Sequence, residues 1–194
     1  VNILTKSGDK NILEKLELRQ NSYLLYVGNS RPHKNLDFLI KGFLESNTDK
    51  KLVLCGNKKG LKRIENRNII YTNFISDAEL KVLYENCSAF IFPSKYEGFG
   101  LPILEALNYG AKVISSDGGA LKEFPKSIIK YFSPYKINEL KECIESVDSY
   151  QIDNLILQEV LENYSWENIE KKYNFYWKEW FKDYDNSINS NISQ

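Results

Sequence analysis

The 194-residue chain has little cysteine, one histidine and no long apolar run, and each shortage excludes a class of protein. Its three cysteines, Cys55, Cys87 and Cys143, are odd in number and scattered, so they do not read as a disulfide framework. Cys55 and Cys87 adjoin apolar runs, and we expect them to be buried free thiols in a reducing compartment. His33 is the only histidine, and no spacing of potential ligands suits a metal site.

The chain also lacks a membrane-spanning run and a charge imbalance. No apolar run approaches about 18 residues, and no signal peptide is recognisable at Val1, so we expect a cytoplasmic protein. The 26 basic and 26 acidic residues balance, which gives no reason to expect a nucleic acid partner. The length suffices for one domain with a sizeable core. A start at Val1 rather than Met is compatible with a part of a longer protein.

Apolar runs of strand length alternate with segments of helical spacing along most of the chain. This alternation predicts an α/β fold with a parallel, doubly wound sheet and helices on both faces. With the strand order 3-2-1-4-5-6, ligands are expected where the order reverses, between strands one and four. The predicted strands are Tyr23–Gly28, Lys51–Gly56, Asn68–Phe74, Ser88–Phe92, Lys112–Ser116 and Ile128–Phe132. The predicted helices are Leu36–Leu44, Ser76–Asn86, Leu101–Asn108, Ile137–Val147 and Leu155–Tyr164, with weaker helical character in Asn57–Arg67.

The stretch from Phe92 to Glu123 has the outline of a phosphate site, because a strand end runs through a glycine loop into a helix. Gly98 and Gly100 permit backbone angles and close approaches that a Cβ would block. Pro102 suits a first helical turn, and Gly110 suits a helix stop. The free N–H groups and the positive dipole end of such a helix favour an anion. Taken alone, the loop is equally consistent with a tight turn.

Two carboxylates flank this loop. Glu97 precedes it, and Glu105 lies eight residues later, on the helix. An ionised carboxylate accepts up to about four hydrogen bonds, so it suits hydroxyl groups rather than a phosphate. The combination favours a ligand with phosphate in the middle and hydroxylated sugar on both sides, as in a nucleotide sugar.

The same stretch resembles the donor-site motif of retaining glycosyltransferases of the GT-B fold, which have two Rossmann-like domains. That family, the glycosyl transferases group 1, has two Glu separated by seven residues within the pattern PS-xx-EGFGL-xx-LEA. The pattern is matched here by Pro93-Ser94, by Glu97 to Leu101, by Leu104 to Ala106, and then by Gly118-Gly119 and Glu123. The resemblance covers about Tyr23 to Trp180 and implies the C-terminal, Rossmann-like donor-binding half of such an enzyme.

The resemblance also implies a role for each polar group in the two loops. Lys34, with Arg31, would neutralise the donor diphosphate. Glu97 would orient the transferred sugar, and Glu105 would accept hydrogen bonds from the ribose hydroxyls. No metal or other cofactor is expected, because cations and a helix dipole can carry the leaving-group charge. The further donor-binding positions are Gly98, Phe99, Gly100, Leu101, Gly28 and Ile75.

Aromatic side chains at the end of strand three and near the C-terminus have more than one interpretation. Tyr71 and Phe74 are candidates for stacking on the base, although strand aromatics more often belong to the core. The aromatic segment 165–185 interleaves carboxylates, so we expect a C-terminal helix that packs back on an N-terminal domain, with peripheral contact with the plasma membrane as the alternative. We expect residues 1–20 to be a linker from that domain, 21–164 the nucleotide-sugar domain and 186–194 a mobile tail.

The implied reaction moves a sugar from GDP-mannose or a UDP-sugar to a glycan or lipid-linked acceptor, in bacterial surface polysaccharide (O-antigen) synthesis. The acceptor would bind a missing N-terminal domain. A non-catalytic nucleotide-sugar module, a sugar-nucleotide epimerase of related fold and a glycosidase are the alternatives. A glycosidase is disfavoured, since Glu97 and Glu105 on one continuous helix would be roughly 12 Å apart, against about 5 to 9.5 Å in glycosidase pairs.

Overall fold

The computed structural model describes residues 11–56, 63–72, 74–165 and 167–177, and it divides the chain into two units. The larger unit, Asn2–Leu157, carries the sheet, and the smaller includes Gln158–Gln194. The strands are β1 (Tyr23–Val27), β2 (Lys51–Cys55), β3 (Ile69–Tyr71), β4 (Ala89–Phe92), β5 (Val113–Ser116) and β6 (Ile129–Phe132). The helices are α1 (Asn11–Lys15), α2 (Leu36–Glu45), α3 (Asp77–Asn86), α4 (Leu101–Asn108), α5 (Ile137–Glu145), α6 (Asn154–Asn163) and α7 (167–177).

The six strands form one parallel sheet in the order β3-β2-β1-β4-β5-β6, which confirms the predicted topology. β1 lies beside β4 with Leu24 opposite Ala89 and Leu25 opposite Phe90, so the order reverses between these two strands. Five strands lie within one residue of the predicted bounds. β3 is shorter than predicted because it ends at Tyr71, and the apolar Phe74 is 95% exposed rather than part of the sheet.

Helices cover both faces of the sheet in the larger unit. On one face, α2 and α5 pack together over alternate strand residues such as Leu24 and Leu52. Gly42 allows the close approach of these helices, because a Cβ there would lie 2.6 Å from a methyl carbon of Leu140. On the other face, the Tyr84 ring of α3 meets Phe90 edge-on at 5.4 Å. Strand residues therefore alternate between two apolar layers, as period-two geometry requires.

The helix ends follow the local signals in the sequence. The Ser76 hydroxyl accepts the N–H of Glu79, and the Glu79 carboxylate accepts the N–H of Ser76 at 2.7 Å, a complete capping box. Pro102 lies in the first turn of α4, and Gly110 follows that helix with a left-handed φ of 77°. The predicted helix start at Ser76 and the predicted places of Pro102 and Gly110 are confirmed.

Some predictions fall wholly or partly outside the described residues. Of the predicted segment Asn57–Arg67, residues 57–62 lie outside, and 63–66 have no regular structure. Residues 1–10, Trp166 and 178–194 also lie outside, so the predicted linker and C-terminal helix are described only in part. Over the described ranges, no helix combines the length and apolar character needed to cross a bilayer. Cys55, Cys87 and Cys143 are buried free thiols, as expected for the first two.

Candidate functional site

The loops that follow β1 and β4 meet at the carboxyl end of the sheet. The main-chain N–H of Lys95 donates to the carbonyl oxygen of His33 at 2.7 Å, which joins the two loops directly. The His33 side chain is exposed. Because β1 and β4 are the strands between which the order reverses, this junction is the crevice where doubly wound sheets bind ligands.

Lys34 is the last residue of a short 3₁₀ turn, Pro32–Lys34, that follows β1. Pro32 opens the turn with its fixed φ, and Asn35 closes it in the left-handed region with a φ of 56°. The buried Asn35 side chain donates from Nδ2 to the carbonyl oxygen of Pro134 at 2.9 Å. The turn is therefore anchored to the loop after β6, which holds the backbone of Lys34 in place.

The Lys34 ammonium forms an ion pair with the Glu97 carboxylate, with Nζ 2.7 Å from Oε1. The two side chains are only 17% and 18% exposed, and the Lys34 ammonium also lies 5.2 Å from the centroid of the Phe92 ring. The pair is thus shielded from water on one side, where charge interactions are stronger than on an open surface. The two residues that the sequence assigns to different parts of the ligand are in direct contact.

Arg31, the second predicted cation, is placed differently. It precedes the 3₁₀ turn in extended backbone, and its side chain is exposed. Its main-chain N–H donates to the side-chain oxygen of Asn29 at 3.1 Å. The guanidinium forms no ion pair among the described residues, so it is available to an anion.

The glycine loop between Glu97 and α4 is shaped by Gly100. This residue caps α4 with a φ of 98°, and a Cβ there would lie 2.8 Å from a methyl carbon of Leu121. No side chain caps the helix, Pro102 has no N–H, and the N–H of Ile103 donates to the carbonyl oxygen of Gly100 at 2.9 Å, so among the described residues the N–H of Leu101 is the one left to another acceptor. By contrast, a Cβ at Gly98 would meet nothing within 4 Å, while Phe99 and Leu101 are exposed. The loop therefore presents open backbone on one side and a tightly packed glycine on the other.

A second glycine pair supports the loop that carries Glu97. A Cβ on Gly118 would overlap the carbonyl oxygen of Lys95, and one on Gly119 would lie 2.6 Å from the carbonyl oxygen of Glu97. The N–H of Ala120 donates to that Glu97 carbonyl at 3.1 Å. The sequence marks this pair only by its two adjacent glycines. The two glycines let the backbone of their loop pack directly against the backbone of the loop that carries Glu97.

Two serines lie beneath the same loop. The sequence singled out Ser94 only as part of the matched pattern, and Ser116 was missed. The Ser116 hydroxyl donates to the carbonyl oxygen of Ser94, and both residues are fully buried. The Ser94 hydroxyl itself has no hydrogen-bond partner among the described residues. Small hydroxyl residues at the ends of two apolar strands are the only sequence signal for this contact. It ties the end of β4 to the end of β5, and so fixes the start of the Glu97 loop.

Glu105 lies on the second turn of α4 and is half-buried. Burial raises the pKa of its carboxyl above the ordinary value of 4.5, and the nearby Asp77 raises it further. Its carboxylate has no ion pair or side-chain hydrogen bond within the described residues. Asp77 begins α3, so the charge that acts on Glu105 comes from that helix, whereas Glu97 pairs with Lys34 in the loop after β1. A desolvated carboxylate without donors suits a ligand that brings hydroxyl groups.

Since α4 begins at Leu101, Glu97 is not on the helix that carries Glu105. The separation expected for a continuous helix therefore does not apply to this pair of carboxylates. What disfavours a glycosidase pair in the structure is that Glu97 is engaged by Lys34, whereas a general acid or nucleophile would face the other carboxylate.

The remaining predicted donor positions, Gly28 and Ile75, follow β1 and β3. The Gly28 N–H donates to the carbonyl of Cys55 at 3.0 Å, and a Cβ on Gly56 would overlap the carbonyl oxygen of Gly28. These strand ends are therefore packed backbone to backbone. Ile75 is half-buried in the loop that leads to α3.

The two aromatic candidates for base stacking have different surroundings in the structure. The Tyr71 ring packs against the core and lies 5.4 Å from the Arg63 guanidinium carbon, and its hydroxyl oxygen accepts the N–H of Ile64 at 3.1 Å. Tyr71 is thus a packing residue, whereas Phe74 is almost fully exposed. Over the described ranges, no group of three His, Cys, Asp or Glu side chains is arranged as metal ligands.

The chain matches the model of a known protein family, "Glycosyl transferases group 1", over residues 9–165. It is 34% identical over 125 residues to the O-antigen chain mannosyltransferase B of Escherichia coli, which covers 58% of this chain and 33% of that protein. It is 26% identical over 157 residues to the O-antigen chain mannosyltransferase RfbU of Salmonella typhimurium, covering 76% and 44%. The chain spans about half the length or less of the curated relatives it matches.

Solved structures show the same fold at lower identity. The apo form of the lipopolysaccharide outer core galactosyltransferase WaaB has a TM-score of 0.68 at 20% identity, over 90% of this chain and 52% of that one. The Anabaena protein HepE in complex with UDP-glucose has a TM-score of 0.59 at 18% identity, over 79% and 51%. The C-terminal domain of the Francisella tularensis group 1 glycosyl transferase LpcC has a TM-score of 0.58 at 19% identity, over 87% and 94%.

Proposed function

Because this chain belongs to the group 1 glycosyltransferases, we propose that it is the donor-binding half of a retaining glycosyltransferase. In this proposal the protein transfers a sugar from a nucleoside diphosphate sugar to a glycan or lipid-linked acceptor. Retention of the anomeric configuration rests on the resemblance of the motif from Pro93 to Ala106. The acceptor would be held by an N-terminal domain of the GT-B fold.

The observation that carries the proposal is the placement of charges around the loop from Gly98 to Leu101. Lys34 and Glu97 pair at the junction of the loops after β1 and β4, and Glu105 lies beyond the glycine loop on α4, where the charge of Asp77 acts on it. A cation, a helix start without a side-chain cap and one carboxylate on each side of the glycine loop in the chain match a ligand whose diphosphate lies between two hydroxylated sugars.

The residues then act in the following way. Lys34, joined by the exposed Arg31, neutralises the negative charge that develops on the leaving diphosphate. The main-chain N–H groups around Gly100 hold phosphate and sugar oxygens at the positive end of α4. Glu97 orients the transferred sugar, so that its anomeric carbon meets the acceptor, and Glu105 binds the ribose. We propose that this set of cations and dipoles carries the leaving-group charge without a metal ion.

The names of the relatives support a narrower choice of donor. Two of them are O-antigen chain mannosyltransferases, which favours GDP-mannose and a role in surface polysaccharide synthesis. HepE was solved with UDP-glucose, which keeps UDP-sugars in the set of candidates. The proposed location is the cytoplasm, because the three buried free thiols stay reduced there. At the inner face of the plasma membrane the enzyme would meet its nucleotide sugar.

A thermal-shift panel tests the donor-binding proposal. GDP, UDP, ADP and their hexose conjugates are added to the chain, with guanosine, uridine and adenosine as controls that lack the diphosphate. A ligand at about 100 times its dissociation constant stabilises by about 2.7 kcal/mol, which raises the melting temperature measurably. We expect one base to give a shift that the nucleoside does not give. A chain that no diphosphate stabilises contradicts the proposal. Sugar transfer after pairing with an N-terminal half separates an enzyme from a binding module.

A further inference from the structure

The ion pair between Lys34 and Glu97 joins two groups that the proposed function assigns to different parts of the donor. Lys34 serves the diphosphate, and Glu97 serves the sugar. In the structure the ammonium and the carboxylate are 2.7 Å apart and largely shielded from solvent. A diphosphate that approaches Lys34 therefore either displaces the carboxylate or binds beside it, and both arrangements cost free energy.

We propose that Glu97 discriminates against the sugar-free nucleoside diphosphate, because it competes with the diphosphate for Lys34 and finds new partners only when a sugar is attached. This inference rests on the proposed function and deepens it. It makes Glu97 a specificity-determining residue that separates the donor from the product left after transfer.

The charges of the nucleotide sugar and of the free nucleoside diphosphate decide which of the two Glu97 favours. In a nucleotide sugar the terminal phosphate is esterified, and hydroxyl groups follow it. In a free nucleoside diphosphate the same phosphate carries an additional negative charge at the end where the sugar would begin. A carboxylate accepts hydrogen bonds and cannot donate them, so Glu97 binds the hydroxyl groups of the first ligand and repels the charge of the second.

The backbone of Glu97 is held in place by the neighbouring loops, and its carboxylate has one cationic partner among the described residues. The N–H of Ala120 binds its carbonyl oxygen at 3.1 Å, and Gly119 packs closely behind the same oxygen. The Lys95 N–H is bound to the loop after β1. Tyr26, whose pKa is raised by burial and then by the nearby Glu97 charge, donates its hydroxyl to the Asn29 carbonyl at 2.6 Å. Within the described residues no other cation pairs with Glu97, so the carboxylate shares a single cation with the ligand.

The consequence is a switch at the end of each turnover. While the sugar is attached, its hydroxyl groups occupy Glu97 and Lys34 is released to the diphosphate. Once the sugar has moved to the acceptor, Glu97 pairs with Lys34 again and weakens the hold on the nucleoside diphosphate. Product inhibition is therefore lower than the diphosphate contacts alone would produce.

Isothermal titration calorimetry on the 194-residue chain tests the inference. The probes are GDP with GDP-mannose and UDP with UDP-glucose, and the variants are Glu97→Gln and Glu85→Gln. Glu85 pairs with Lys81 on α3 at 3.7 Å, so it is a matched control for the loss of one carboxylate. We expect Glu97→Gln to bind the sugar-free diphosphate about three- to ten-fold more tightly, and to bind the sugar conjugate no more tightly than the unaltered chain. Glu85→Gln should change neither affinity.

The outcomes distinguish this inference from the proposed function. If the unaltered chain binds none of the four probes, the proposed function fails and the inference fails with it. If it binds them and Glu97→Gln weakens both members of a pair equally, Glu97 merely positions Lys34 and only the inference is overturned. Unchanged affinities overturn it as well. Glu97→Ala, which also removes the charge, serves if the Gln variant does not fold. If circular dichroism shows both variants unfolded, Glu97 is a structural support and the inference is overturned.

Discussion

Gly118 lies so close to Lys95 that a Cβ on the glycine would overlap the lysine carbonyl oxygen. The loop after β5 can therefore pack against the loop that carries Glu97 only because residue 118 has no side chain. The neighbouring Gly119 has a left-handed φ of 64° and passes close to the Glu97 carbonyl. Two glycines thus decide how closely the backbone around Glu97 packs against the loop after β5.

The first prediction concerns this packing. Gly118→Ala should lower the free energy of unfolding by about 1 to 3 kcal/mol, because the added methyl forces two backbone segments apart. Chemical denaturation measures the loss. Gly98→Ala is the matched control for stability, since a Cβ there meets nothing within 4 Å and the change should stay within about 0.5 kcal/mol. Equal stability of the two variants would show that the loops can separate without cost.

The second prediction concerns the ribose role of Glu105. Glu105→Gln should weaken binding of the nucleoside diphosphate and of the whole nucleotide sugar alike, by about 1.5 to 3 kcal/mol for a charged hydrogen bond. The reason is that both ligands carry the same ribose. Calorimetry with GDP and GDP-mannose measures the two losses. A folded variant with unchanged affinity for GDP and UDP would show that Glu105 does not bind the ribose.

The third prediction concerns the same side chain and pH. Burial and the charge of Asp77 raise the pKa of Glu105 above 4.5, so the folded protein holds this proton more tightly than the unfolded chain. The stability contributed by the protonated carboxyl is complete below about pH 4.5 and is lost as the pH rises through the folded-state pKa. Glu105→Gln should therefore be more stable than the unaltered chain at pH 7.

Denaturation curves at several pH values between 4 and 8 measure this difference. The advantage of Glu105→Gln should shrink as the pH falls and vanish below the unfolded-state pKa. Asp77→Asn offers a parallel variant, because removing that charge lowers the raised pKa of Glu105 and should reduce the same advantage. A constant difference at every pH would mean that the substitution acts through packing and not through charge.

The fourth prediction concerns Lys34. Lys34→Gln should cost about 1.5 to 3 kcal/mol more in the binding of a nucleoside diphosphate than of the matching nucleoside, since only the former carries the charge that Lys34 meets. The loss should become smaller at higher ionic strength. Lys41→Gln removes an exposed cation of α2 that pairs with Glu45 at 3.9 Å, and should leave both affinities unchanged. Equal losses of affinity for the nucleoside and the nucleoside diphosphate would show that Lys34 acts through folding and not through the charge of the diphosphate.

The fifth prediction concerns Asn35, which positions Lys34. Asn35→Gly keeps the left-handed backbone and loses only the hydrogen bond to Pro134, whereas Asn35→Ala also strains the backbone at a φ of 56°. The Ala variant should therefore be the less stable by about 1 kcal/mol. Both should bind GDP or UDP more weakly than the unaltered chain, because the Lys34 turn loses its anchor. Unchanged diphosphate affinity in both would show that Lys34 is held without Asn35.

The strands, the helix starts and the glycine loop were predictable because their causes are local. An apolar run such as Tyr23–Val27 suits a strand buried on both faces, and Ser76 with Glu79 closes a capping box within one helical turn. The alternation of strands and helices then limits the topology to a few choices, since crossover connections are right-handed. For the same reason the sequence alone predicts that the loops after β1 and β4 lie at one crevice.

Side-chain partners within that crevice were decided only by the tertiary structure. Lys34 and Glu97 are 63 residues apart in the chain, and no local pattern shows that they pair with each other rather than with a ligand. The interaction between the charges of Asp77 and Glu105 likewise depends on where α3 and α4 lie, and the packing of Gly118 on Lys95 depends on how two loops meet above the sheet. The sequence by itself thus determined which residues reach the site, because periodicity and turn chemistry act over a few residues. Which of them touch was decided by distances between separate loops, which only the packed sheet sets.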